Sequence, residues 1–209
     1  MTPLRPACAA ALLLLALSSC TRKETKRLLE PSQALGTVLA EETARAAGPR
    51  KQVALILPHW AAASSAGDSF KAGLNKKGLA VSFTLSAPMG DLMGRHPVGL
   101  KAADFLATLE RGDKVGAIVS LAGAPLLQAP DLARLKPDHP PVLVVATSSL
   151  GQVMGVPGKR SALASLLEAK VIQLAIVDGG AEPGTAPSGK LDAAHRSFSE
   201  HYHLLRAPD

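Results

Sequence analysis

From Lys51 onward, short unbroken apolar runs alternate with stretches whose apolar residues recur at helical spacing. Val53 to Leu57 is continuously apolar and is stopped by Pro58, which is how a strand buried on both faces reads. Ala66, Phe70, Gly73 and Leu74 then predict a helix that Gly78 ends. Leu79 to Leu85 reads as a second strand, and about Gly99 to Arg111 as a helix with Ala102, Phe105, Leu106 and Leu109 on one face. A third strand is expected at Val115 to Leu121, a short helix at Asp131 to Leu135 and a fourth strand at Val142 to Ala146. Ser161 to Lys170 reads as helix, Val171 to Val177 as a fifth strand, and Leu191 to Tyr202 as a last helix. Strands alternating with helices imply right-handed crossovers. The expected fold class is therefore α/β: a three-layer αβα body around a mostly parallel five-stranded sheet in the flavodoxin-like order 2-1-3-4-5.

The first fifty residues follow other rules. Arg5 supplies a positive start, and Ala9 to Leu17 is an apolar run of signal-peptide length, well short of the roughly 20 residues that span a bilayer. Leu17-Ser18-Ser19-Cys20 follows at once and resembles the bacterial lipobox, in which the cysteine is acylated and becomes the first residue of the mature chain. Residues 1–19 then form a lipoprotein signal peptide, and Cys20 is the lipidation site. Two or three acyl chains would hold the chain stably on a membrane. Thr21 stands where an aspartate would retain an enterobacterial lipoprotein in the inner membrane, which favours the outer one. Residues 20–50 read as a lipidated tether containing a helix from Ser32 to about Ala47. Leu35, Val38, Leu39 and Thr43 or Ala46 make one apolar stripe there, and Gly48-Pro49 stops the helix. The expected division is thus signal, tether, an α/β domain over 51–180, and a C-terminal loop and helix over 181–209.

Composition narrows the chemistry. The chain of 209 residues is 47% hydrophobic but only 3% aromatic, so the core is built of Ala, Leu and Val. The net charge of +6, or +5 once Arg5 leaves with the signal, is a mild excess. Nucleic-acid binding would need basic residues gathered with aromatic platforms, and none is expected. The basic run Arg22-Lys23 and Lys26-Arg27 suits either an anionic membrane surface or a solvated linker. With Cys8 in the signal, Cys20 is the only remaining thiol and no internal disulfide can form.

In an open parallel sheet, ligands sit beyond the carboxyl ends of the strands. That rule selects His59, Trp60, Ser64 and Asp68 after strand one, Ser120 after strand three, Ser148 after strand four and Asp178 after strand five. An exposed indole at Trp60 beside hydroxyls and carboxylates would suit a sugar or another ring; the alternative is that it packs over the sheet edge. Ser64 is at least as well suited to capping the following helix. No Gly-x-Ser-x-Gly elbow, dinucleotide fingerprint or phosphate-binding loop is present, so neither a catalytic residue nor a cofactor is assigned. His195, His201 and His203 lack the spacing for shared metal ligation and read as a solvated tail.

Val53-Ala54-Leu55-Ile56-Leu57-Pro58, then Phe70-Lys71-Ala72-Gly73-Leu74 and Gly78, resembles the opening of type I periplasmic binding proteins, the sugar-binding components of ABC importers. Val115 to Ser120 and Pro141 to Val145 resemble their third and fourth strands. The resemblance covers about residues 51–178. It implies a single periplasmic-binding lobe, Trp60 as the stacking aromatic, Ser120 and Ser148 near a small-molecule ligand, and an ABC permease as partner. Proteins of that family close two lobes around the ligand, whereas the pattern here is that of one. Either two chains cooperate or the lobe serves another purpose. Three readings follow: a lipid-anchored solute-binding lobe facing the periplasm, a non-catalytic envelope lipoprotein that binds another protein, and a serine-dependent hydrolase.

Overall fold

The computed structural model describes residues 31–58, 64–87, 100–147, 159–179 and 192–208. Cys20, His59, Trp60 and Ser148 lie outside these residues.

Six strands form the main sheet: β1 (Gln52–Pro58), β2 (Ala80–Ala87), β4 (Ala117–Ser120), β6 (Val142–Ala146), β7 (Leu174–Asp178) and β8 (Tyr202–Arg206). Their spatial order is β2-β1-β4-β6-β7-β8, and the first five are mutually parallel. That is the expected 2-1-3-4-5 arrangement with one strand added. β8 runs antiparallel to β7, with Tyr202 opposite Asp178 and Arg206 opposite Leu174. Two residues each of β3 (Leu100–Lys101) and β5 (Pro125–Leu126) make a separate small parallel pair.

Alternation along the buried strands divides the core in two. Val53, Leu55 and Leu57 of β1 point to one face with Ala117, Val119, Leu143, Val145, Leu174 and Ile176. Ala54, Ile56, Ile118, Val142, Val144 and Ala175 point to the other. The first face is covered by three helices: α1 (31–47), α2 (Ser65–Lys76) and α6 (Ala193–His201). The second is covered by α3 (Ala102–Arg111) and α5 (Lys159–Glu168), with the short α4 (Ala129–Leu132) at the side. The architecture is thus three-layer αβα.

The stripe expected of α1 lies against the sheet: Leu35, Val38, Leu39 and Thr43 are all buried. α1 crosses α2 through small residues. A Cβ added at Gly36 would fall 2.4 Å from the Ala66 carbonyl oxygen, and one at Gly73 would fall 2.6 Å from the Ala40 Cβ. Only hydrogen at those two positions allows the helices to approach so closely.

Three local departures have physical reasons. The fifth strand starts at Leu174, not Val171, because the amides of Val171 and Ile172 bond back to the Leu166 carbonyl and cap α5. Lys170, with φ of 55°, makes that left-handed turn. The final helix starts at Ala193 behind the Asp192 cap, and at Tyr202 the chain turns into β8. There Tyr202 is buried and packs on Phe198 with ring centroids 5.4 Å apart. The short helix spans Ala129–Leu132, two or three residues earlier than its expected place.

Candidate functional site

The parallel strands give the sheet two unlike edges, and the described candidate residues lie at the carboxyl-terminal one. At β1 and β4 the chain leaves to opposite faces. β1 continues into α2 on the first face, whereas the segment after β4 packs Ala122, Ala124 and Leu127 against the second. Where neighbouring connections diverge, a crevice opens beyond the strand ends. Here that switch point falls between β1 and β4, which are joined near their ends by the Leu121 amide donating to the Ile56 carbonyl at 2.9 Å.

Each described candidate has a definite place along this edge. Ser64 is the N-cap of α2, its hydroxyl accepting from the Gly67 amide at 3.1 Å. That bond satisfies one of the open amides of the first turn. Asp68, in the same turn, is exposed, a placement that the positive end of the helix dipole favours. Ser120 is fully buried at the end of β4, and its hydroxyl donates to the Gly123 carbonyl at 2.8 Å. The bond closes a tight turn in which Gly123 takes a φ of 94°. Asp178 is exposed at the end of β7. Thr147, beyond β6, is fully buried. The fold therefore gathers Ser64, Asp68, Ser120 and Asp178 on one edge. Two of the four, Ser64 and Ser120, already use their hydroxyls in backbone bonds.

A second cluster, on the outer side of the first face, was not legible in the chain order. His195, near the start of α6, stands between two carboxylates: Nδ1 is 2.9 Å from Asp192 Oδ1, and Nε2 is 3.0 Å from Glu41 Oε2 on α1. Both ring nitrogens face acceptors, which suits the doubly protonated imidazolium. The hydrogen bond to Asp192 raises the His195 pKa above its ordinary value; partial burial opposes this, and the charges of Asp192 and Glu41 add to it. The Asp192 carboxyl is held below its ordinary value, first by the His195 amide and then by the His195 ring. The other oxygen of Glu41 meets Lys77 Nζ at 3.6 Å, at the end of α2. One carboxylate thus ties all three helices of this face. Its neighbour Glu42 is buried and accepts from Arg45 and, at 2.8 Å, from Arg206 of β8.

His195 is therefore no solvated tail residue. The only sequence hint was Asp192 three positions before it, a spacing that allows an Asp to cap a helix and meet a side chain one turn on. Between α1 and α6 a groove of about 510 Å³ runs past Gln33, Thr37, Arg196 and Glu200. Among the described residues, no group of three His, Cys, Asp or Glu side chains converges as a metal site requires. No helix among them is long and apolar enough to cross a membrane.

No family model and no curated protein matches the chain. Among solved structures it is similar to an ABC-transporter solute-binding protein from Burkholderia graminis C4D1M in complex with D-arabinose. The TM-score is 0.45 at 20% identity, over 70% of this chain and 47% of that one. It is also similar to a periplasmic ribose ABC transporter protein from Conexibacter woesei DSM 14684. There the TM-score is 0.43 at 13% identity, over 80% of this chain and 47% of the other. This chain spans about half the length of either.

Proposed function

We propose that the chain is a lipoprotein of the bacterial envelope, anchored through Cys20 and facing the periplasm, whose body binds a small solute at the carboxyl-terminal edge of its sheet. The observation that carries this reading is the divergence of the chain after β1 and β4. At such a switch point a parallel sheet favours a ligand crevice, and His59 and Trp60 follow directly on β1 in the sequence. Asp68 and Asp178 supply acceptors for the hydroxyl groups of a polar solute, and the indole supplies a stacking surface. Ser148 follows Thr147 at the end of β6 and belongs to the same edge by sequence. The lobe requires no catalytic residue for this role.

A second reading, in which the same edge receives a protein such as an ABC permease or another envelope component, is favoured by the hydroxyls of Ser64 and Ser120. Both are already engaged with backbone groups, which leaves fewer free donors for a small solute. Thermal-shift screening of the chain from Thr21 against a panel of monosaccharides separates the two. Under the first reading at least one sugar raises the midpoint, and Trp60→Ala abolishes the rise while the unliganded midpoint stays put. A flat panel removes the solute-binding reading and leaves the protein-binding one. Separately, Cys20→Ala should abolish palmitate incorporation; continued labelling would disprove the anchor.

A further inference from the structure

The opposite edge of the sheet carries a feature that the solute-binding reading does not use. The chain enters each of the five parallel strands of the main sheet past an exposed lysine: Lys51 before β1, Lys76 before β2, Lys114 before β4, Lys136 before β6 and Lys170 before β7. β8, running the other way, leaves through Arg206 at the same edge. In the order of the sheet the five lysines fall one before each successive strand entry, with Arg206, which pairs with Glu42, beyond them on β8. With strands about 4.8 Å apart, the five entries these lysines precede span about 19 Å. None of the five lysines makes an ion pair among the described residues. The acids of this edge, Asp113, Asp138 and Glu168, are fewer, and Glu110 is turned to Arg134.

The loops that present the row are braced. Arg50 reaches the carbonyls of Asp113 and Val115, both at 3.3 Å. The Gln173 side chain bonds the Val142 amide and the Lys170 carbonyl, joining the entries of β6 and β7. Part of the charge is explained by helix ends, since bases favour carboxyl termini. Lys51, Lys114 and Lys136 terminate no helix. A second feature coincides with the row. Two large apolar side chains exposed to solvent lie on the outer strands near this edge: Val81 (37% exposed) on β2 and Leu205 (40%) on β8. Apolar residues thus bracket the cations at both ends of the sheet.

We infer that this edge is a docking surface for an anionic lipid bilayer. Lysines act on headgroup phosphates as point charges without demanding a fixed geometry. Flanking aliphatic side chains can enter the interface, which a soluble polyanion would not reward. The opposite edge, with Asp68, Asp104, Asp178 and Glu200, is repelled by the same surface. Acylation at Cys20 is compatible: the ten residues from Thr21 to Glu30 span up to about 33–36 Å when extended, more than the roughly 24 Å rise of α1. The inference does not depend on solute binding at the other edge.

The test compares variants of the unacylated chain from Thr21, which contains every described residue, in sedimentation with phosphatidylglycerol-containing and pure phosphatidylcholine vesicles. Each lysine near such a surface contributes about fivefold, so Lys51→Gln with Lys114→Gln should lower partitioning by about 25-fold. The charge-matched control, Lys71→Gln with Lys101→Gln on the acidic half, should change it less than about threefold. Thermal melts verify that both pairs fold, and Lys136→Gln with Lys170→Gln serves as an independent pair from the same row. Equal losses in row and control would mean that net charge alone binds, and would overturn the inference. So would equal binding to neutral vesicles, or binding to polyglutamate without binding to vesicles.

Discussion

The two faces of the sheet are equally dry but are covered by different means. On the second face, α3 and α5 press Phe105, Leu106, Leu163 and Leu167 onto Ile56, Ile118 and Val144. Its polar contacts are peripheral. Arg134 meets Glu110 at 3.9 Å with both side chains exposed, and the Arg111 guanidinium lies 4.2 Å above the Phe83 ring. On the first face, α1 carries two adjacent acids into the helical layer, Glu41 towards Lys77 and His195, and Glu42 towards Arg45 and Arg206. The same helix meets α2 through glycines. The difference shows that a helix arriving from outside the β-α alternation needs its own specificity. The crossover helices are positioned by the strands on either side of them. α1 is tethered to only one strand, and close contact with ion pairs supplies the rest.

This contrast can be broken most forcefully at Gly36. A valine there would drive its Cβ into the Ala66 carbonyl and the Phe70 amide, both backbone groups that cannot move aside. We expect a loss of about 3 kcal/mol or slightly more in denaturant unfolding. A loss below about 1 kcal/mol would show that α1 does not hold its observed position.

A pair of matched substitutions sharpens the comparison at intermediate size. Glu42→Gln removes a buried charge from two arginines and should cost about 1–2 kcal/mol, tempered because both partners are largely exposed. Glu110→Gln on the other face, at 71% exposure, should cost at most about 0.5 kcal/mol. Equal costs in the same urea titration would erase the distinction between the faces.

The smallest effect is one of pH. His195 has a higher pKa in the folded chain than its ordinary 6.5, so its pairing with Asp192 and Glu41 stabilises fully below about pH 6.5. The contribution fades as pH rises through the elevated value. For a partly exposed pair it should be no more than about 1 kcal/mol, or about 2–4 °C in Tm. His195→Gln should flatten that stretch of the Tm profile, with Lys77 and Glu41 left in place. An unchanged slope would mean that another group titrates there. Asp192 acts in the opposite range. Its lowered pKa contributes above 3.8 and is lost as pH falls further.

Much of the fold was legible in the residues. β6 occupies Val142–Ala146 as read, since five successive apolar residues after two prolines have few other options. The buried side of α1 was visible in the spacing of Leu35, Val38 and Leu39. β8 was not visible, because Tyr202 and Leu204 alone alternate inward and a two-residue pattern is weaker than the helical stretch before it. At the carboxyl-terminal edge, Ser64, Asp68, Ser120 and Asp178 lie just beyond the ends of the strands, as their sequence positions implied. Those positions could not tell which hydroxyls the backbone would claim.

Alternating apolar runs and helical stripes, all within a dozen residues, determined the five parallel strands of the main sheet, the covering helices and hence the layered class, because burial of a periodic face is a local property. Tertiary structure alone decided which distant charges meet. Glu41 and His195 are separated by 154 positions, and the lysine row draws one residue from each of five strand entries. Such juxtapositions depend on the order of strands in space, which no short window of the chain contains.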